Sequence, residues 1–505
     1  MGAMHGMPTP EICNRARIAH DARFDGLFFI AVRSTGIYCR PVCPAPTAKR
    51  ENVVFYPTAA AAVAMGYRPC LRCRPELSPE AFARIGEETV QRALALIAEG
   101  ALQDGSVEEL AERVGICSRQ LRRLFVARTG ATPIVVHTTR RMLLAKQLLT
   151  ETSLPVTQVA LAAGFNSLRR FNAAFLEGCG MAPTAIRRQR GIEAPGGALT
   201  LRFGYRPPLD FAAMLAFLSK RALPGIERVK ENSYERVAGS PEAPTFIQVT
   251  ADAAKPELLL RIEGSDPRAI PDIVRRVRRV FDLDADLRAV HAVLRTDPLL
   301  AKAIKKRPGL RVPGGWDGFE LAVRAVLGQQ VSVAGATTLA RRLVDAYGEP
   351  CKGAPAGLDR TFPRPERLVG APLELLGLPK SRATTLRSLA RAVVDGRVDF
   401  GAGQKLDDFI ERFTALPGIG PWTAQYVAMR ALSQPDAFPA GDLVLQQVLG
   451  GATRGDGLRL TERATAARAE AWRPWRAYAV LQLWHLANDH AVAKTELRKK
   501  AHVVR

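Results

Sequence analysis

The sequence predicts a multidomain, mainly α-helical protein built from four consecutive modules. These are a small α/β domain, a helical domain with two similar halves, a small α+β domain and a large all-α domain. Three observations support this. The chain has 505 residues, and at about 100–200 residues per domain that is three to five domains rather than one. Its hydrophobic pattern shifts from short alternating runs to helical spacing, then to a mixture, then to helical spacing throughout. With 47% hydrophobic and 24% charged residues, it has ordinary globular usage, which excludes a mainly disordered or collagenous chain.

The first module is expected over residues 1–80. FDGLFFIAVRSTGIYC (24–39) reads as strand and hairpin, with Ser34, Thr35 and Gly36 as the turn. Residues 85–190 read as helices. VEELAERVG (107–115) and PVTQVALAAGF (155–165) place apolar residues at helical spacing and form a short repeat. A Gly/Pro break at 193–198 precedes the α+β module, 197–284. There, strands are expected at 199–203, 246–251 and 257–264, and helices at 211–222 and 269–282. Residues 285–505 are almost wholly helical, with a loop at 352–365.

Lys and Arg number 72 against 49 Asp and Glu, a net charge of +23. The first 190 residues hold 25 basic and 15 acidic groups, so the excess is not confined to one tail. Both halves are suited to a polyanion, nucleic acid first and an anionic membrane surface second. No apolar run approaches the ~18–20 residues of a membrane span, and the N-terminus lacks a signal-peptide pattern. A cytoplasmic protein with no membrane contact is expected.

Four of the eight cysteines form two short pairs, Cys39-x3-Cys43 and Cys70-x2-Cys73. Tetrahedral zinc needs four soft donors that converge, and two such pairs supply them. A purely structural ion would suffice to explain them, because so small a domain gains folding energy from a metal. The surrounding TGIYCRPVCPAP and ENVVFYPTAAAAVAMGYRPCLRC resemble the zinc domain of the Ada family of DNA alkylation-response proteins. That resemblance implies that Cys39 accepts a methyl group from a methylated DNA phosphate. Arg40, Lys49, Arg50, Arg72 and Arg74 lie close in sequence and are candidates for holding the phosphate backbone.

SVEELAERVGICSRQLRRLFVARTGATP (106–133) has a helix, a turn at Gly115 and a second helix bearing Arg119, Gln120, Arg122 and Arg123. PVTQVALAAGFNSLRRFNAAFLEGCGMAP (155–183) repeats the layout, with Gly164 at the turn and Asn166, Ser167, Arg169 and Arg170 beyond it. This is the arrangement of a tandem helix-turn-helix, whose second helix reads the major groove. The Gly164, Phe165, Phe171, Phe175, Gly180, Pro183 pattern resembles AraC-type DNA-binding domains. Cys117 and Cys179 are expected in the helical core.

LPGIG (416–420) is a tight hairpin between helices. Backbone N–H groups around Leu416, Gly418 and Gly420 can face a phosphate with no side chain in the way. Downstream, PAGD puts Asp442 at the start of a further helix, where it is also a good N-cap. This combination resembles the helix-hairpin-helix DNA glycosylases. GWDGFELAVRAVLGQQVS (315–332) and RPWRAYAVLQLWH (473–485) resemble the 3-methyladenine DNA glycosylase II branch, called AlkA. The resemblance implies that Asp442 stabilises the cationic sugar as the base leaves, and that Trp422, Tyr426 and Trp484 line the base pocket. Trp422 stands where strand-cutting members carry a Schiff-base Lys, so a monofunctional enzyme is expected. Gln330 stands where the branch carries the Leu that fills the gap left by the flipped base.

Together these readings give a zinc-containing DNA-binding half fused to a base-excising half, acting as a monomer on alkylated double-stranded DNA and on a promoter operator. No PCHR-type methyltransferase motif is present, so reversal at O6-methylguanine is not expected. The alternative is a methylation-sensing transcription regulator whose C-terminal half only binds DNA.

Overall fold

The computed structural model describes residues 7–80, 88–189, 198–264, 266–401, 403–451 and 459–503, with side chains described as far as 489. The sequence break at 193–198 falls outside them except for its last residue.

The first module holds α1 (Pro10–Ile18), β1 (Phe29–Val32), β2 (Ile37–Cys39), β3 (Val53–Tyr56), α2 (Ala59–Ala64) and β4 (Arg68–Pro69). The sheet order is β3-β1-β2-β4. The expected hairpin is present: β1 pairs antiparallel with β2, Val32 faces Ile37, and Gly36 turns the chain at φ +66°. Alternation along β1 feeds two faces. Phe28 and Ile30 pack with Cys13 and Ala16, and Phe29 and Ala31 pack with Tyr38 and Ala62.

Seven helices follow: α3 (Glu88–Ala98), α4 (Val107–Arg113), α5 (Ser118–Thr129), α6 (Pro133–Glu151), α7 (Val156–Ala162), α8 (Leu168–Cys179) and α9 (Pro183–Gln189). The repeat is visible in its punctuation. Gly115 and Gly164 turn the chain at φ +81° and +77°, and α5 and α8 each end on a left-handed Gly. A capping box of Ser106 and Glu109 starts α4. The long α6 joins the two halves of the repeat.

The α+β region contains β5 (Leu199–Gly204), α10 (Phe211–Ser219), β6 (Glu227–Lys230), β7 (Ser233–Val237), β8 (Phe246–Ala251), β9 (Glu257–Glu263) and α11 (Ile270–Val280). The strands form one antiparallel sheet, β5-β9-β8-β7-β6. β6 and β7 were not expected, because their sequences, ERVK and SYERV, are rich in charge. Two of those charges, Glu227 and Arg236, are buried and paired: Arg236 pairs with Glu227 at 2.9 Å and with Glu320, and Arg324 with both acids at 2.7 and 2.8 Å. Burial pushes the Glu227 carboxyl up, but the two guanidiniums outweigh it and hold the group down at about 2.

The remaining helices are α12 (Leu287–Leu294), α13 (Pro298–Lys306), α14 (Gly318–Leu327), α15 (Val333–Tyr347), α16 (Pro365–Leu368), α17 (Lys380–Val394), α18 (Leu406–Thr414), α19 (Pro421–Ala431), α20 (Leu443–Leu449), α21 (Glu462–Ala469) and α22 (Arg476–Val503). The loop expected at 352–365 is there, apart from its last residue, which opens α16. Asp210, Asp286, Asp297, Asp317 and Asp442 cap α10, α12, α13, α14 and α20.

The two halves are not strung on a linker. Phe171 and Phe175 of the second helix-turn-helix and Leu148 of α6 lie in one buried cluster with Leu201, Phe203 and Val249 of the five-stranded sheet. Lys146 on α6 is fully buried and pairs with Glu76 at 2.5 Å. Arg206, 2% exposed, donates to the carbonyls of Asp25 (3.0 Å), Pro79 (3.4 Å) and Glu80 (2.7 Å) on the zinc side, and to those of Asp284 and Ala285 on the other. Burial pulls its guanidinium down to about 10, opposed by the nearby Asp284 and Asp286, so it is charged at neutral pH.

Replacing Arg206 would leave those carbonyls without a donor. Arg206→Met is expected to lower stability by on the order of 3 kcal/mol, read as a lower urea midpoint shared by fluorescence probes in both halves.

Candidate active site and zinc centre

The sulfurs of Cys39, Cys43, Cys70 and Cys73 lie within 4.8 Å of one another. Cys39 closes β2, Cys43 follows in a turn, and the other pair lies just past β4, which runs parallel to β2. Backbone N–H groups of Arg40 and Arg72 donate to Cys73 Sγ and Cys70 Sγ, both at 3.3 Å. Four convergent soft donors with amides pointing at sulfur fit zinc. Cys43, Cys70 and Cys73 are buried, whereas Cys39 is half-buried.

Two of the arginines expected to hold phosphate are committed elsewhere. Arg40 is 6% exposed, and its guanidinium binds Asp25 and the Cys73 carbonyl. Arg74 pairs with Glu76 and Glu151 at 3.2 and 2.6 Å. Sequence proximity to the cysteines did not reveal that these acids lie opposite. Lys49, Arg50 and Arg72 are exposed.

Arg119, Gln120, Arg122 and Arg123 on α5 are exposed, as are Asn166, Arg169 and Arg170 around the start of α8. Arg122 shares an exposed ion pair with Glu108 at 2.8 Å. Ser167 instead caps α8. Cys117 is exposed rather than in the core: it stands immediately before α5, outside the face that packs inward. Cys179 is half-buried against the shared core.

The hairpin joins α18 to α19. Leu416 and Ile419 are buried and close a turn, Ile419 N to Leu416 O at 3.2 Å, while Pro417, Gly418 and Gly420 are exposed. Apolar anchors thus hold exposed amides. Leu416 is a core residue, so a phosphate can reach only its backbone. Gly418 has φ +78°, and a Cβ there would collide with the Thr385 hydroxyl.

Asp442 is 9% exposed. Its Oδ1 accepts from the N–H groups of Val444 (2.9 Å) and Leu445 (3.0 Å) and from Trp484 Nε1 (3.4 Å), and its Oδ2 from Trp422 Nε1 (3.1 Å). It differs from three of the other four caps. Asp210, Asp297 and Asp317 turn a second oxygen to an arginine, whereas no basic side chain pairs with Asp442 among the described residues. Its negative charge therefore faces the site uncompensated by a cation.

Next to it, Trp422 and Tyr426 stack with centroids 5.4 Å apart and planes 11° apart, and Trp484 lies 6.3 Å from Tyr426. Behind the stack is a layer that sequence reasoning missed. The Tyr426 hydroxyl accepts from Arg430, whose guanidinium lies 4.8 Å from the Phe217 ring, and Arg221 lies 3.8 Å from the same ring. Burial alone would raise the Tyr426 phenol, but Arg430 and Arg221 outweigh it and bring it below its ordinary value. Arg430 stands four residues after Tyr426 on α19, so helical spacing could have found it. Phe217 and Arg221 come from the α+β region and carry no such signal. Gln330 is exposed at φ +57°, between α14 and α15.

Comparison with known proteins agrees with this geometry. The chain matches the metal binding domain of Ada over residues 12–76, a helix-turn-helix domain over 110–189, the AlkA N-terminal domain over 200–317 and the HhH-GPD superfamily of base excision DNA repair proteins over 323–476. A probable bifunctional transcriptional activator/DNA repair enzyme AlkA from Mycobacterium tuberculosis is 40% identical over 480 residues, covering 94% of this chain and 96% of the relative. The chain belongs to that family. DNA-3-methyladenine glycosylase 2 of Escherichia coli is 33% identical, over 56% of this chain and 95% of its own length. The bifunctional transcriptional activator/DNA repair enzyme Ada of Escherichia coli is 43% identical over 116 residues, 23% of this chain and 32% of its own length. The family member described here is accordingly an AlkA/Ada-like DNA repair enzyme, with a glycosylase domain joined to a zinc-binding and helix-turn-helix half, and it binds DNA and zinc. Among its described residues, no helix is long and apolar enough to cross a membrane.

Elemental analysis is expected to find one zinc per chain, and none in Cys70→Ser. Loss of the metal should expose the amides of β1 and β2 to hydrogen exchange, because the site holds so small a sheet together.

Proposed function

We propose that this chain is a monofunctional DNA glycosylase for alkylated purines, with 3-methyladenine and 7-methylguanine as leading substrates. Its zinc half would accept methyl groups from DNA phosphotriesters and regulate transcription. The reading takes the modules as 1–80, 85–190, 197–284 and 285–505, in a cytoplasmic monomer acting on duplex DNA. The observation that carries it is Asp442, a helix-capping carboxylate held by two indole N–H groups beside a stacked aromatic pair and, among the described residues, paired with no cation.

The chemistry follows from that placement. The exposed amides of Gly418 and Gly420 grip a phosphate, and the target nucleotide leaves the stack. Gln330 fills the space. The base lodges against Trp422, Tyr426 and Trp484, and a purine made cationic by alkylation gains roughly 0.5–2 kcal/mol from their π faces. The bond from C1′ to the base nitrogen breaks, and its electron pair leaves with the base. The cationic sugar that forms is stabilised by the Asp442 carboxylate, which also orients the water that adds at C1′. That water's proton passes to solvent. An alkylated base needs little acid assistance to leave, which suits a site with a single carboxylate. Trp422, the second residue past the hairpin, cannot form a Schiff base, so the strand stays intact.

In the zinc half, Cys39 is the most exposed of the four cysteine residues. Zinc, when bound, keeps all four as thiolates at neutral pH. Cys39 Sγ bonds to the phosphotriester methyl carbon, the carbon–oxygen bond breaks, and the phosphodiester anion leaves. A thioether results, so the step is stoichiometric. In this reading Arg119, Arg122, Arg169 and Arg170, all exposed, would contact operator DNA.

Asp442→Asn is expected to slow base release from methylated DNA by about 10²–10³-fold or more while duplex binding holds. A variant that excises at the parental rate would refute the role of Asp442. Release of base by the parental chain should leave abasic sites uncut until alkali is added. Incubation with methylphosphotriester DNA followed by digestion and mass spectrometry should find one added methyl on Cys39, and its absence there would end the acceptor reading.

A further inference from the structure

Gln330 is an exposed residue other than glycine in the left-handed region, a conformation that persists only where the surroundings impose it. The preceding residue supplies the constraint. Gln329 Nε2 donates to the Gly418 carbonyl in the hairpin and to the Thr423 hydroxyl in the first turn of α19, both at 3.0 Å. The Gln329 carbonyl accepts from Arg382 Nη2 at 2.7 Å. On the far side of Gln330, Ser332 Oγ caps α15, accepting from Gly335 N at 3.1 Å. Helix α17 carries both Arg382 and Thr385, the residue whose hydroxyl fills the space where Gly418 would have a side chain. The turn bearing Gln330 and the hairpin are therefore fastened to each other through Gln329 and to one helix beneath them.

We infer that Gln329 is a positioning residue for nucleotide flipping: it fixes the distance between the hairpin that grips the phosphate backbone and the side chain that enters the vacated base space. This rests on the glycosylase reading proposed above. A glycosylase must hold the backbone and fill the helix gap in the same motion, so the two contacts need a fixed offset. Displacement of about 1 Å in such an arrangement costs roughly 10²-fold in rate. The primary amide suits the task, having two N–H groups for two acceptors. Glutamate of the same shape has none, and would set a carboxylate against the Gly418 carbonyl.

The test uses the full chain and its Gln329→Ala and Gln329→Glu variants on methylated duplex DNA. It measures single-turnover base release, together with the fluorescence of a 2-aminopurine beside the lesion as a report of unstacking. Both variants are expected to release base at least about tenfold more slowly, with a smaller fluorescence rise. They should bind undamaged duplex as the parent does and unfold at the parental urea midpoint. Placing the lesion in an unpaired bulge, where little unstacking remains to be done, should restore most of the rate. Variants that match the parent in release and fluorescence overturn the proposal. So do variants slowed equally on bulged and paired substrates, since a general structural defect would do that. A parental chain that releases no base overturns the glycosylase reading and this proposal with it, whereas parental release matched by Gln329→Ala overturns this proposal alone.

Discussion

Arg206 sits where loops from two halves of the protein end in buried carbonyl groups. A carbonyl removed from water and left without a donor costs about 1–3 kcal/mol, and several converge within reach of this one side chain. A guanidinium with five N–H donors in a rigid fork can answer such a cluster. Its neighbourhood repeats the pattern. Arg40, next to the zinc ligand Cys39, is neutralised by Asp25, whose carbonyl Arg206 also binds. Lys146 ties α6 to Glu76, Arg74 ties it to the zinc module through Glu151, and Glu151 also accepts from the Arg202 amide of β5 at 3.1 Å. The zinc module, the repeat and the sheet thus meet through buried charge that is paired or hydrogen-bonded at every turn.

The same dependence reaches the candidate base pocket. Tyr426 lies on α19, but the cationic layer behind it is completed by Phe217 and Arg221 from the α+β region. The sheet in turn is locked to α14 by the ion-pair group of Glu227, Arg236, Glu320 and Arg324. Helix α14 leads directly into Gln329 and Gln330. The flat aromatic stack, the carboxylate beside it and the exposed turn are therefore carried by one connected scaffold rather than by the helices that bear them alone.

What the sequence disclosed follows from the range of the interactions involved. Cys39-x3-Cys43 and Cys70-x2-Cys73, LPGIG, and the paired turns at Gly115 and Gly164 are local patterns, and each was legible. Strands β6 and β7 were not. Their burial rests on Glu320 and Arg324, which lie 84 and 97 residues from their partners, and a charged strand offers no alternation of apolar residues to detect. Arg40 and Arg74 looked like phosphate ligands because proximity in sequence is silent about the acids opposite them. Cys117 was misplaced for a related reason. A small apolar residue beside a helix reads as core, yet the position before the first turn faces outward. Asp442 was visible as a cap, but only the fold brings two indoles onto it and, among the described residues, pairs it with no cation.

The hydrogen bonds of the Arg206 clasp go to main chain alone. Asp25, Pro79, Glu80, Asp284 and Ala285 accept them through their carbonyls, and the Asp284 and Asp286 carboxylates act on the guanidinium by charge. Gly204, two residues earlier, lies so close to the Leu77 carbonyl that no Cβ fits between them. Such a seam constrains the path of the backbone but leaves the identity of most facing residues open. Side chains along those loops can drift over generations without loosening the junction, while the arginine and the glycine cannot. Descendants of this fusion should therefore preserve these two positions even where the surfaces around them have diverged.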